Sequence, residues 1–352
     1  MPKVLIIGAG LSGLSTAYVL RNSNFDVEIL EARPRLGGRI FTIEKEKSQL
    51  EMGATWFGPQ HTSLIQLIKE LNIPFKTQDN GAEAVYDFRP KGNIERFQIP
   101  SQGAATYKFN YGTSHLIETL AEASRAKIHF DEVVASISVD EHIKVSTSTT
   151  VFEADYLVLS IPPQLISDSI EFRPKLSETF NQLLQDTHTW MSDSIKFSMA
   201  YEDAFWKSQQ FIGTLMSPHQ IIQEMYDHSD IEGNQNALVG FLNSNYSNLN
   251  PEERKEKVTR LLESYFPDKG RRLKAYADLN WRNEPYTIPK NAKNLLPHQN
   301  NGNPKLRDSL FDNRLFFSAS ETAQQTPGYM DGAVHRGTEV ADFLLNLSVL
   351  KF

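Results

Sequence analysis

Three features of this 352-residue chain predict an α/β fold. An apolar run at the start stops at a glycine-rich turn. A helical pattern then leads to a second apolar run that closes on an acid. A later segment changes to an alternating, strand-like texture. Together they describe strands alternating with helices, and a second region of different texture placed inside the first.

The first unit is the most ordered. Lys3-Val4-Leu5-Ile6-Ile7 reads as a buried strand and ends at Gly8-Ala9-Gly10-Leu11-Ser12-Gly13. A helix follows to Leu20, and Val27-Glu28-Ile29-Leu30 is a second strand ending in Glu31. Each part has a place in holding a dinucleotide. Gly8 permits the tight turn, Gly10 lets the backbone approach a pyrophosphate, and Gly13 lets helix and strand pack closely. The helix N-terminus at Leu11 and Ser12 faces the phosphate charge. Glu31 is placed to bond a ribose hydroxyl. This is a Rossmann-like βαβ pattern. The strand, helix and acid in order supply the weight that a lone G-x-G-x-x-G lacks.

Downstream, a helix is expected from about Ser63 to Leu71. Val85 to Phe88 and Ile94 to Phe97 flank a Pro-Lys-Gly-Asn turn and predict a hairpin. Gly112-Thr113-Ser114 precedes a helix around Leu116 to Leu120. Strands follow at Val133-Val134, Ile143 to Val145 and Tyr156 to Ser160, the last stopped by Pro162-Pro163. From about Ser167 to Tyr276 the texture differs. Ile195 to Tyr201 alternates as a strand, and Asn250-Pro251-Glu252-Glu253 opens a helix with Val258, Leu261, Leu262 and Tyr265 on one face. Residues 291–308 read as a loop, Leu315 to Ser318 as a buried strand, and Gly332-Ala333 as the start of the last helix. The expected division is a discontinuous first domain over 1–75, 105–165 and 276–352. The second domain takes 76–104 and 166–275.

Composition bounds the function. With 40% hydrophobic and 22% charged residues the chain suits a soluble globular protein. A net charge of -7 argues against nucleic acid and would favour a cationic substrate. No stretch is long enough to cross a bilayer, and the apolar start lacks a cleavage site, so a cytoplasmic location is the default. Without cysteine there is no disulfide, no thiolate metal site and no cysteinyl cofactor linkage. His61, His115, His188, His228 and His335 are scattered, so no metal site is expected.

Taken as ordered blocks, the motifs resemble the flavin-containing amine oxidase family (monoamine and polyamine oxidases, L-amino-acid oxidases). The blocks are 8–13, 31–39, 52–59, 112–120, 155–163, 196–206, 281–286 and 316–336. The resemblance implies a Rossmann-like FAD-binding domain of the glutathione-reductase type, with an inserted α+β substrate domain of reduced size. It also implies FAD, held non-covalently since no cysteine is present.

Roles follow from the same resemblance. Glu31, Ala32 and Arg33 would border the ribose, and Gly38 with Arg39 would make a second pyrophosphate contact. Gly53, Ala54, Thr55 and Trp56 would run under the flavin ring. The backbone of Val134 would bind adenine. Ser320 and Glu321 would meet the ribityl or phosphate region. A helix starting near Met330, with Ala333, would aim its N-terminus at the flavin's N1–C2=O edge. The family usually has glycine where this chain has Ala319 or Ser320, so a Cβ there would crowd the cofactor.

Lys196 carries the most mechanism. Period two puts it on one face with Ser198 and Ala200, where a solvated lysine is the bland alternative. Its spacing from Trp206 matches a family lysine that bonds flavin N5 through a water. Tyr329 and Trp281 are candidates for the flavin's substrate side, and the second ring of the family's aromatic pair would fall near the non-aromatic Asn291. The segment from Pro59 to Gly112 is too short for the helical insertion that roofs the cavity in longer members, so a more exposed cavity is expected.

The implied activity is amine oxidation. A hydride passes from an amine C–N carbon to flavin N5, the imine hydrolyses, and O2 reoxidises the flavin to give hydrogen peroxide. The implied partners are a small-molecule amine and O2. Two alternatives remain open at this point. One is an FAD-dependent oxidase or desaturase of a non-amine substrate, renalase-like or carotenoid-desaturase-like. The other is a flavin-binding protein without turnover.

Overall fold

Continuous apolar runs build the central sheet. In the computed structural model, which describes residues 1–78, 83–99, 104–209, 213–230 and 235–349, five parallel strands lie side by side. Their order is Leu315–Phe317, Tyr156–Leu159, Lys3–Ile7, Asp26–Leu30 and Lys127–His129. A parallel sheet needs cover on both faces, which explains why these strands are apolar without alternation. Val4 and Ile6 pack against the helices Leu11–Leu20, Ser114–Ser124 and Met330–Val349. Leu5 and Ile7 pack on the other side against a four-stranded sheet containing Val134–Val139 and Ile143–Thr147.

Two glycines set how closely helices Leu11–Leu20 and Met330–Val349 approach their neighbours. A Cβ at Gly13 would collide with the Gly8 carbonyl, and one at Gly337 with the Ser12 carbonyl. The last helix begins at Met330, the start implied by the resemblance and two residues before the Gly332 start read from the local pattern. Pro162-Pro163 stops the strand as expected and also starts the helix Pro163–Ser169, because proline suits a first helical turn. Strand Glu171–Arg173 lies at the start of the segment expected in the second domain, yet it pairs with Val134–Val139.

A second sheet of seven strands runs Ala275–Asn280, Ile195–Tyr201, Asn236–Leu242, Ile222–Asp227, Thr214–Met216, Glu83–Asp87 and Ile94–Gln98. The last two form the expected hairpin. Ile195, Phe197, Met199 and Tyr201 face a core that includes Val258 and Leu262 of helix Pro251–Tyr265. That helix is opened by a reciprocal cap between Asn250 and Glu253. Ala200 on the opposite face packs on Leu50 and Met52. All seven residues of Ile195–Tyr201 are buried, and Lys196 is only 1% exposed. The solvated reading of Lys196 is thereby overturned, because the stretch after Met52 crosses its face of the sheet.

Among the described residues between Pro59 and Gly112 there is one helix, Thr62–Glu70, with four short strands.

Candidate active site

A cavity of about 370 Å³ opens at the carboxyl ends of the parallel strands, where Ile7, Leu30 and Ser160 reach its wall. That edge is where doubly wound sheets bind ligands. Gly8 turns the chain with φ +104°, and its N–H donates to the Leu30 carbonyl at 2.7 Å. A Cβ added at Gly10 would meet nothing within 4 Å, since it would point into the cavity. One added at Gly38, where φ is +57°, would sit 3.6 Å from the Gly10 Cα. Two glycine turns therefore present bare backbone to the same space, and the helix start at Leu11 and Ser12 adds its N–H groups.

Glu31 also reaches the cavity. Its carboxylate accepts from the Ala9 N–H at 2.8 Å and the Arg33 N–H at 3.0 Å. The acid at the end of the second strand is thus fixed by backbone donors. Ala32, Arg33 and Val134 line the same end.

Arg39 is the cation on the wall. It forms an ion pair with Glu321 and donates to the Ser320 hydroxyl at 3.1 Å and the Trp190 carbonyl at 3.2 Å. Glu321 is fully buried and does not line the cavity, so the expected direct contact with a cofactor is corrected: it orients Arg39 from behind. Burial pushes the Glu321 carboxyl up, but Arg39 outweighs this and holds it below its ordinary value.

A Cβ at Gly53 would collide with the Arg39 carbonyl, which accepts from the Ala54 N–H at 3.1 Å. This close approach puts Ala54 on the wall, while Gly53 and Thr55 stay behind it. Met330, Ala333, Ser320 and the unexpected methyl of Ala319 complete that end.

Two residues beyond Ala54, Trp56 covers Lys196. The Lys196 ammonium lies 4.3 Å from the ring centroids of both Trp56 and Phe241. Burial lowers its pKa to about 7, against the opposing pull of Glu51 and Glu224. Glu51 is raised to about 7 by burial, offset in part by bonds from the Thr113 N–H at 2.7 Å and the Thr42 hydroxyl at 3.0 Å.

Tyr329 is on the cavity wall and 41% exposed. It stacks with Trp190, ring centroids 6.0 Å apart at 30°, and with His298 at 6.0 Å and 17°. Trp281 does not join it. Trp281 is fully buried, and its indole N–H donates to the Met52 carbonyl at 2.7 Å. Its expected place on the substrate side is corrected to a support under the stretch that leads to Ala54 and Trp56. Trp190, Ser160, Tyr286 and Thr287 reach the wall without having been singled out. No periodicity marks Trp190, which lies in the turn before Ile195.

Bare backbone on two sides of a cavity at the end of a parallel sheet, with a carboxylate fixed beside it, defines a dinucleotide-binding protein of the doubly wound class. The comparisons narrow this. The sequence profile of Flavin containing amine oxidoreductase matches residues 11–109 and 97–345, and the chain belongs to that family. It is 24% identical to "Amine oxidase [flavin-containing] A" of Canis lupus familiaris over 98% of this chain and 85% of the relative. It is 23% identical to "Amine oxidase [flavin-containing] B" of Homo sapiens, over 97% and 86%. A solved putrescine oxidase with putrescine bound shares the fold, with a TM-score of 0.83 at 21% identity over 98% of this chain and 99% of that one. So does cyclohexylamine oxidase of Brevibacterium oxydans IH-35A, with a TM-score of 0.83 at 19% identity over the same shares.

The cofactor is FAD, and the glycine cradle and Glu31 fit its pyrophosphate and ribose. The first alignment runs over 453 positions against 352 residues here, so the relative carries insertions that this chain lacks. The profile matches the chain in two stretches that overlap over residues 97–109. Among the described residues, no group of histidines and acids is placed to hold a metal, and no helix is long and apolar enough to cross a membrane.

Proposed function

We propose that this chain is an FAD-dependent amine oxidase that uses O2 as its electron acceptor. When bound, FAD supplies the acceptor for a hydride from the carbon bearing the amine nitrogen. The protein's part is placement and charge. Gly8, Gly10, Gly38 and the helix start at Leu11 hold the phosphates, and Arg39 adds a guanidinium. The N-terminus of helix Met330–Val349 favours negative charge at its end of the cavity. The absence of cysteine rules out a thioether link, in keeping with FAD held non-covalently.

The observation that carries the oxidase reading is Lys196. A fully buried ammonium directly behind the stretch lining the cofactor cavity is costly to keep, and a buried cation stabilises the anion formed when O2 takes up an electron. The relatives named above support the amine as reductant. Lys196→Met tests this without knowledge of the substrate. The bound flavin is reduced by light in wild type and variant, each is mixed with oxygenated buffer, and the return of absorbance is followed. The variant should reoxidise at least tenfold more slowly while holding FAD with similar affinity. Equal rates would remove Lys196 from the oxygen reaction.

A further inference from the structure

The sheet face that carries Lys196 continues outward. Strand pairing sets Lys196 opposite Phe241, Phe241 opposite Glu224, Glu224 opposite Met216, and Met216 opposite Tyr86. Residues directly opposite across a sheet share a face, so these five form one row. Tyr226 follows Glu224 on the same face of its strand. Lys196 closes the inner end, whereas Phe241, Glu224, Met216, Tyr86 and Tyr226 are each half-buried. Among the described residues the outer part of the face is only partly covered.

Its chemistry is aromatic with a carboxylate. Trp56 meets Tyr226 edge-on, ring centroids 5.2 Å apart at 75°. The Tyr226 hydroxyl donates to Glu224 at 3.1 Å, which fixes the acid. The buried indole N–H of Trp56 has no hydrogen-bond partner among the described residues. At the inner end the Trp56 and Phe241 rings already hold a cation, the Lys196 ammonium, at 4.3 Å each. Glu224 lies two strands away, roughly 10 Å at the backbone.

We propose that this face is the substrate platform, and that Glu224 selects amines carrying a second positive charge. This rests on the amine oxidase reading. The distal ammonium pairs with Glu224, the alkyl chain lies on Phe241 and Tyr226, and the reacting nitrogen points toward Lys196. Charge sets the direction. A nitrogen must be unprotonated for its carbon to release hydride, and the Lys196 cation disfavours a second cation beside it. The Glu224 end favours one. The net charge of -7 draws such substrates toward the protein.

The test uses the FAD-loaded protein, as wild type and as Glu224→Gln, which preserves size and an acceptor for Tyr226. Straight-chain diamines are compared with monoamines of equal length. Binding of a non-reacting bis(trimethylammonium) alkane is measured in parallel by calorimetry. The ratio of kcat/KM for diamine over monoamine should fall roughly ten- to a hundred-fold in the variant. The Kd of the bis-quaternary ligand should rise over the same range, and Glu224→Asp should restore part of both. Equal Kd values and an unchanged ratio would overturn the platform even if amines are oxidised. Binding lost in Glu224→Gln without turnover of any amine by wild type would keep the platform and sink the oxidase reading.

Discussion

Lys196 and Glu51 are buried titrating groups facing one region, with Glu224 and His228 as further neighbours. Burial holds the His228 imidazole well below its ordinary value, and the charges of Lys108 and Lys196 add to this. Lys196 is charged below about 7 and neutral above it. Reoxidation of photoreduced flavin by O2 should therefore slow as pH rises through about 7, and Lys196→Met should show a flat profile at the slow rate. A wild-type profile flat from pH 6 to 8 would contradict this. Glu51 contributes to stability with a definite sign. Its folded pKa is raised above 4.5, so its stability is full below about 4.5 and is lost as pH rises toward 7. Glu51→Gln should therefore gain stability relative to wild type between pH 5 and 7, read from denaturant midpoints. A relative gain that shrinks over that range would refute the burial of an acid there.

Glu31 is as legible in sequence as any residue of the chain, yet its bonds to two backbone N–H groups were not. Glu31→Gln should weaken FAD binding by about 1.5–3 kcal/mol, the range for hydrogen bonds to charged groups, in a titration of the apo-protein. An unchanged Kd would show that Glu31 serves only Ala9 and Arg33. Trp190 carried no sequence signal, because a ring in an irregular turn has no period to betray it. Arg39 was expected at the cofactor, but the place of Glu321 behind it was hidden, since the two are joined only by folding.

Local pattern located most elements. The helix cap at Asn250, the hairpin after Val85 and the strand Ile195–Tyr201 follow from spacing and turn residues alone. Side-by-side strand order did not. The row from Lys196 to Tyr86 joins strands more than 100 residues apart, and no short-range rule brings Glu83–Asp87 next to Thr214–Met216. Helix packing depends on one glycine in particular. Gly13→Ala would drive a methyl into the Gly8 carbonyl, and overpacking of this kind costs about 1–3 kcal/mol. Because the clash also shifts the first turn, the variant should lose stability and FAD together. A variant with unchanged melting temperature and FAD content would show that helix Leu11–Leu20 has room to move.

The whole molecule sets a nucleotide-binding parallel sheet beside a mainly antiparallel one, with Trp56 and Lys196 where the two meet. Its fold class was readable because a parallel core and a dinucleotide turn each constrain many residues at once. The substrate was not readable, since the face proposed to receive it is built by half-buried side chains of several distant strands. The most direct test of the oxidase account is anaerobic. The yellow protein is mixed with amines in the absence of air, the flavin absorbance is followed, and O2 is then admitted. The account predicts that at least one amine bleaches the flavin, and that O2 restores the colour with one hydrogen peroxide formed per amine oxidised. Failure of every alkyl amine and diamine to bleach a fully FAD-loaded protein that light reduces readily would contradict it.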